Sequence, residues 1–193
     1  MYRIVICCLL LFPAGALAQA NFGIKGGLNI SDIVMTNYVN ADVESDLRLK
    51  SGLHAGIFVT GSVKDRWGVV AELLYSDKGV NDIHLHYITL PLLLQYQLSE
   101  KVFAELGPEA GYLFSVMSDI GNASNTYSNK FDLALNGGIR FDLSKLAIGV
   151  RYCAGVFSVR QPFETIGPSG VEKVKYQNRV LQISVGYTLF ALE

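Results

Sequence analysis

The chain has 193 residues, 16 basic and 17 acidic, which suits one domain and gives no electrostatic reason to expect a nucleic-acid partner. Its three cysteines are too few for a disulfide-stapled scaffold, and no apolar run is long enough to span a bilayer as a helix. The amino terminus, "MYRIVICCLLLFPAGALAQA", has a cationic start at Arg3, an apolar stretch from Ile4 to Phe12 and a small-residue exit. That is the three-part pattern of a secretory signal peptide, cleaved after Ala18, with Ala20 as the alternative. Residues 1–18 are therefore expected to leave, and 19–193 to form the mature domain. Cleavage removes Arg3, Cys7 and Cys8, leaving 15 bases against 17 acids, a net charge of −2, and Cys153 as the one remaining thiol. With no second thiol, stability has to come from a closed sheet or a large core.

Beyond the signal, alternating or apolar runs occur at about 22–31, 51–62, 67–77, 85–97, 101–114, 130–142, 146–158 and 177–190. Most reach the 9–11 residues that a tilted strand needs to cross a bilayer, and an even number of strands suits a closed antiparallel barrel without free edges. The connections alternate in length. Tight turns fall at Lys64-Asp65, Ser99-Glu100 and Leu143-Ser144-Lys145, whereas 32–50, 78–84, 115–129 and 159–175 are longer and rich in loop residues. Short turns on one rim and long loops on the other are the asymmetry of outer-membrane barrels, with the long loops outside the cell.

The run "FDLALNGGIRFDL" states the central ambiguity. Phe131, Leu133, Leu135, Ile139 and Phe141 alternate with Asp132, Asn136, Arg140 and Asp142, so one face is apolar and the other polar. Periodicity does not say which face meets the solvent. The residues on the polar face do. Lys25, Asn29, His54, Glu72, Gln95, Gln97, Glu105, Glu109, Asp132, Asn136, Arg140, Arg151 and Gln182 share it with Gly23, Gly27, Gly52, Gly56, Gly68, Gly107, Gly111, Gly138, Gly149 and Gly186.

Ten glycines on a solvated face would weaken the strands for no return, but a narrow eight-stranded barrel needs small neighbours beside long polar side chains. Buried charges must be paired, and Lys25, Arg140 and Arg151 are balanced by Glu72, Glu105, Glu109 and Asp132. A plugged polar lumen is expected, with His54 and Cys153 as satisfied fillers. Outward aromatics fall into two belts: Phe22, Trp67, Tyr96 and Phe141 near the short-turn rim, and Tyr75, Tyr112, Phe114 and Phe131 near the other. The last strand ends on an aromatic, Phe190.

Read together and in order, "FGIKGGLNIS", "GLHAGIFV", "AELLYSDKG", "YITLPLLLQYQL" and "GIRFDL" resemble the PorT-like outer-membrane β-barrel family of Bacteroidetes-type bacteria, across essentially the whole mature chain. The resemblance implies an outer-membrane barrel and, through the family's namesake, a link to protein secretion. Thr89 and Gln95 stand where this family would carry an acid and a base, so an interior ion pair of relatives is expected here as a hydrogen bond.

The segment "YSDKGVNDIHLH" offers Ser76, Asp77, Asp82, His84 and His86 for a rival role. A lipid-modifying barrel enzyme would need a nucleophile, a base and an orienting group converging at the outer rim, and His84 and His86 share a face that could hold a metal weakly. Simple interfacial polarity is the better reading of those residues. The expectation is thus an integral outer-membrane protein, an all-β eight-stranded antiparallel up-and-down barrel without catalytic, cofactor or metal site. Its role would be structural or accessory, in secretion or envelope assembly. Its partners would be outer-membrane lipid and lipopolysaccharide, the barrel-assembly machinery during insertion, and envelope proteins reached through loops 32–50, 115–129 and 159–175. A narrow channel and a soluble lipid carrier are the remaining alternatives.

Overall fold

The computed structural model describes residues 20–37, 49–80, 83–118, 121–122, 130–156, 163–167 and 170–191; the expected signal segment lies outside the described residues. Ten strands follow in chain order. They are β1 (Ala20–Asn37), β2 (Lys50–Lys64), β3 (Trp67–Val80), β4 (Ile83–Gln97), β5 (Val102–Ser118), β6 (Gly121–Asn122), β7 (Phe131–Leu143), β8 (Leu146–Gly155), β9 (Phe163–Gly167) and β10 (Gly170–Ala191). Eight of them make the barrel, each antiparallel to the next, and β10 pairs back onto β1 from Asn21↔Ala191 to Asn37↔Val174. The closure leaves the barrel wall no free edge to manage. β6 and β9 are short additions that pair with β5 and β10.

Alternation decides the faces as expected. In β7, Asn136 is fully buried and Leu135 is 52% exposed. Leu28, Ile57, Leu106, Ile139, Ile183 and Val185 are likewise exposed, whereas Glu72, Glu109, Asp132 and Arg151 are buried. Such an exterior is unstable in water and stable against hydrocarbon. The aromatic belts frame it. Trp67 packs on Tyr96 with ring centroids 4.6 Å apart at one rim, and Tyr112 on Phe131 at 5.3 Å near the other.

The two-residue turns carry the backbone strain that tight hairpins need, since Asp65 and Ser144 adopt positive φ (48° and 60°). On the opposite side the strands run further than the hydrophobic pattern predicts. Residues 32–37 extend β1, 115–118 extend β5 and 170–175 extend β10, all in segments expected to be loop, and residues 78–80 and 83–84 narrow the predicted 78–84 connection. The reason is physical: backbone N–H and C=O groups still need partners past the hydrocarbon, so pairing continues after the outward apolar residues have ended, and Lys78 and Val116 stay buried on the inward side. Around Pro91 and Pro108 the β4–β5 pairing skips from Pro91↔Glu109 to Leu94↔Leu106, and beside Pro91 the β3–β4 pairing skips from Ala71↔Leu92 to Leu74↔Thr89. Proline supplies no N–H to a ladder.

Candidate functional site

All eight charged or imidazole side chains expected in the lumen face it. They are distributed over three tiers stacked along the barrel, with His54 in the middle one. Nearest the short turns, Arg151 donates to Glu72 (2.8 and 2.9 Å) and to Glu105 (2.8 Å), and Lys25 donates to Glu72 at 2.8 Å. Arg140 grips Asp142 through Nε and Nη2 (2.8 and 2.9 Å) and approaches Glu105 at 3.5 Å. One guanidinium thus bridges β3, β5 and β8 across the lumen. Bidentate, charge-assisted bonds of this kind offset the desolvation that burying the ions costs.

The middle tier is neutral. Asn29 Oδ1 meets His54 Nδ1 at 2.8 Å and accepts from Gln182 at 3.1 Å, while Asn29 Nδ2 donates to Ser76 Oγ at 2.9 Å. Gly27 lets the strands close here, because a Cβ on it would collide with the Ile183 carbonyl oxygen and press on the His54 ring. In the upper tier the fully buried Lys78 donates to Glu109 at 2.7 Å and lies 5.3 Å above the Tyr87 ring. Asn136 also donates to Glu109 (2.9 Å), and Asn178 donates to Asp132 (2.9 Å) and to the Tyr87 hydroxyl (3.3 Å).

Lys78 and Asn178 were not among the expected lumenal residues. Both keep the inward phase, two positions apart in the run Glu72, Leu74, Ser76, Lys78 and four before Gln182. Extending each strand by its own phase would have found Lys78 as the partner of Glu109. The lumen is also less polar than expected, since Val70, Leu74, Leu85, Tyr87, Leu93, Leu113 and Val180 are buried inside it. Cys153 is a buried free thiol beside these groups, and Gln97 is half-buried near the short-turn rim.

The expected hydrogen bond in place of a relatives' ion pair does not form. Thr89 Oγ1 and Gln95 Nε2 are both buried without a hydrogen-bond partner. The two positions lie six residues apart on one strand, so the short side chains do not reach each other.

The rim candidates separate. Ser76 points inward and is fully buried, whereas Asp77, His84 and His86 lie on the outward phase of β3 and β4. Asp77 Oδ2 is 3.0 Å from His84 Nδ1, Asp77 Oδ1 is 3.8 Å from His86 Nδ1, and Tyr75 Oη is 2.7 Å from His86 Nδ1. The barrel wall stands between that cluster and the Ser76 hydroxyl. Asp82 lies outside the described residues. Among the described residues no group of three or more His, Cys, Asp or Glu side chains is placed to hold a metal ion.

Below the ionic tier the lumen opens. A cavity of about 410 Å3 runs from the short-turn rim, where Ser144, Lys145 and Thr188 line it, to a floor of Lys25, Glu72, Glu105 and Arg151. The side chains of the upper two tiers lie in the section above it.

Comparison with known proteins agrees with this architecture. The family model described as "Outer membrane protein beta-barrel domain" matches residues 16–161. Among solved structures, Neisserial surface protein A is 13% identical, covering 88% of this chain and 99% of its own, with a TM-score of 0.50. OprG of Pseudomonas aeruginosa is 21% identical over 88% and 96% of the two chains (TM-score 0.42), and Ail of Yersinia pestis 14% identical over 88% and 99% (TM-score 0.45). At such identities the likeness to these structures is one of fold alone. No functionally curated protein matches the chain.

Proposed function

Because this chain belongs to the outer membrane protein β-barrel domain family and is an integral protein of the outer membrane, we propose that it is a non-enzymatic structural or accessory component of the envelope. Its task on this reading is assistance to protein secretion or envelope assembly through the outer connections 32–50, 115–129 and 159–175. Within the family, the ordered set of "AELLYSDKG" and "LPLLLQY" favours the PorT-like branch of Bacteroidetes-type bacteria. Residues 1–18 are the export signal on the same reading.

The observation that supports a passive lumen is the Glu72–Arg151–Glu105 bridge, with two further tiers packed above it. A lipid-modifying role draws no support from Ser76, whose hydroxyl is committed to Asn29 on the opposite side of the wall from His84 and His86. Cross-linking in intact cells, followed by capture of the tagged barrel, tests the accessory role. A reproducible set of envelope proteins lost on replacing 159–169 by a short Gly-Ser linker, which spares the β10 residues paired with β1, supports it; an unchanged set overturns it.

A narrow channel is the second reading, favoured by the cavity that leads inward from the short-turn rim. Unitary conductance in a planar bilayer, raised when Arg151 is replaced by a small residue, would establish it over the passive lumen.

A further inference from the structure

The short-turn cavity is more than a vacant end of a barrel. It combines an ion-paired floor, in which two polar atoms lack a hydrogen bond, with an apolar wall. Glu105 Oε1 and Arg151 Nε are buried without a hydrogen-bond partner, on side chains only 5% and 4% exposed, and both residues line the cavity. A buried polar atom left unmatched is costly, so a native structure calls for something to complete it. Arg140 adds a third group. Its Nε and Nη2 are committed to Asp142, but Nη1 stands 3.5 Å from Glu105 Oε1, too far for a good bond.

The apolar side comes from Phe58 and Val70. The Phe58 ring reaches into the lumen over Gly23 and Gly186: a Cβ on Gly23 would collide with the ring, and one on Gly186 would come within 3.3 Å of it. Glycine at these two places is what allows an aromatic face beside the ionic floor. At about 410 Å3 the space has the size of a small-molecule site, and its mouth lies on the periplasmic side by the short-turn rule.

From this arrangement we infer that the cavity is a periplasm-facing binding site for a small zwitterion with an apolar side chain, of the α-amino acid type. A bare anion would face Glu72, Glu105 and Asp142, and a bare cation would face Lys25, Arg140, Lys145 and Arg151. A molecule carrying both charges matches both: its ammonium to Glu105 Oε1, its carboxylate to Arg140 Nη1 and Arg151 Nε, its side chain against Phe58. The site is independent of the loops and of the envelope role proposed for them, so the isolated barrel suffices to test it.

The test is a titration of the 15N-labelled mature chain in phosphatidylcholine nanodiscs, with L-phenylalanine, 3-phenylpropionate and phenethylamine as matched probes. The signals are the amides of Gly149, Ser184 and Gly186 and the Arg151 Nε–H, with Asn136 and Asn178 as distant references. L-Phenylalanine is expected to shift the first set saturably, and each singly charged probe to bind about tenfold or more weakly, the loss that one charged hydrogen bond represents. Glu105→Gln should abolish the preference for L-phenylalanine over 3-phenylpropionate, and Arg140→Gln the preference over phenethylamine. A purely structural role for either residue would leave those preferences in place. No saturable shift with L-phenylalanine, meaning that water alone completes the floor, overturns the inference. So do equal shifts with all three probes, or Gln variants that keep the discrimination. Should a variant fail to insert, the three-probe comparison on the parent chain still decides.

Discussion

Two carboxylate-centred clusters in this barrel live in different worlds. In the lumen, Glu72, Glu105 and Arg151 are nearly sealed from solvent and held by three hydrogen bonds. On the outer face, Asp77 and His84 form a single 3.0 Å contact in which the histidine is 42% exposed. Adjacent residues on β3 divide between these regions, with Ser76 and Lys78 inside and Asp77 outside. The comparison teaches that a polar residue on a membrane strand gains its meaning from side and height together. Inside, an ion is paired or ruinous. Outside, it is tolerated only where the hydrocarbon ends.

The largest effect should come from halving the inner cluster. Arg151→Met leaves two buried carboxylates without their shared partner, and we expect a loss of about 3–5 kcal/mol in reversible urea unfolding from lipid. A loss below the range for exposed pairs would mean that water reaches this tier and that the lumen is not sealed. The next effect tests the outer face away from its rim. Val185 is half-exposed on β10, opposite Gly26, and Val185→Arg should cost about 2–4 kcal/mol by the same measurement if that position contacts the bilayer interior.

Asn29→Ala probes the neutral tier. Removing it strands His54, Ser76 and Gln182 together, for an expected loss of about 1–3 kcal/mol, with a downfield or upfield shift of the His54 ring signals as the local check. Asp77→Asn completes the contrast at the small end. A partly exposed pair at the edge of the membrane contributes no more than about 1 kcal/mol, so unfolding should be nearly unchanged. If Asp77→Asn instead matched Arg151→Met, the distinction between lumen and rim would fail.

Much of this architecture was legible in the residues. "FDLALNGGIRFDL" carries its own faces, and the ten glycines in phase with Lys25, Glu72 and Arg151 identify the polar side as the crowded one. The closed barrel and the inward placement of His54, Glu109, Asp132 and Arg140 followed from that phase. Lys78 was harder because the apolar markers stop at Tyr75, and a strand without an apolar face gives periodicity nothing to track. The upper parts of β1 and β10 were hidden because their runs, "DIVMTN" and "GVEKVKY", break the strict alternation. The cavity was invisible for another reason: it depends on how far Phe58 and Arg140 reach across the lumen, which no spacing along one strand encodes.

The sequence by itself determined the class of structure and its surroundings. Period-two alternation, short and long connections in turn, and two aromatic belts admit little besides a barrel with its apolar side in hydrocarbon. Only the tertiary structure decided the pairing. Arg151 could have met Glu72, Glu105, Glu109 or Asp132, and the choice fell to the shear of the closed sheet, which sets Arg151 opposite Gly138 and Gln182 and aims it across the lumen at Glu72. Phase is a local property of each strand, repeated every two residues. Contact across a closed cylinder depends on the register of all eight strands at once.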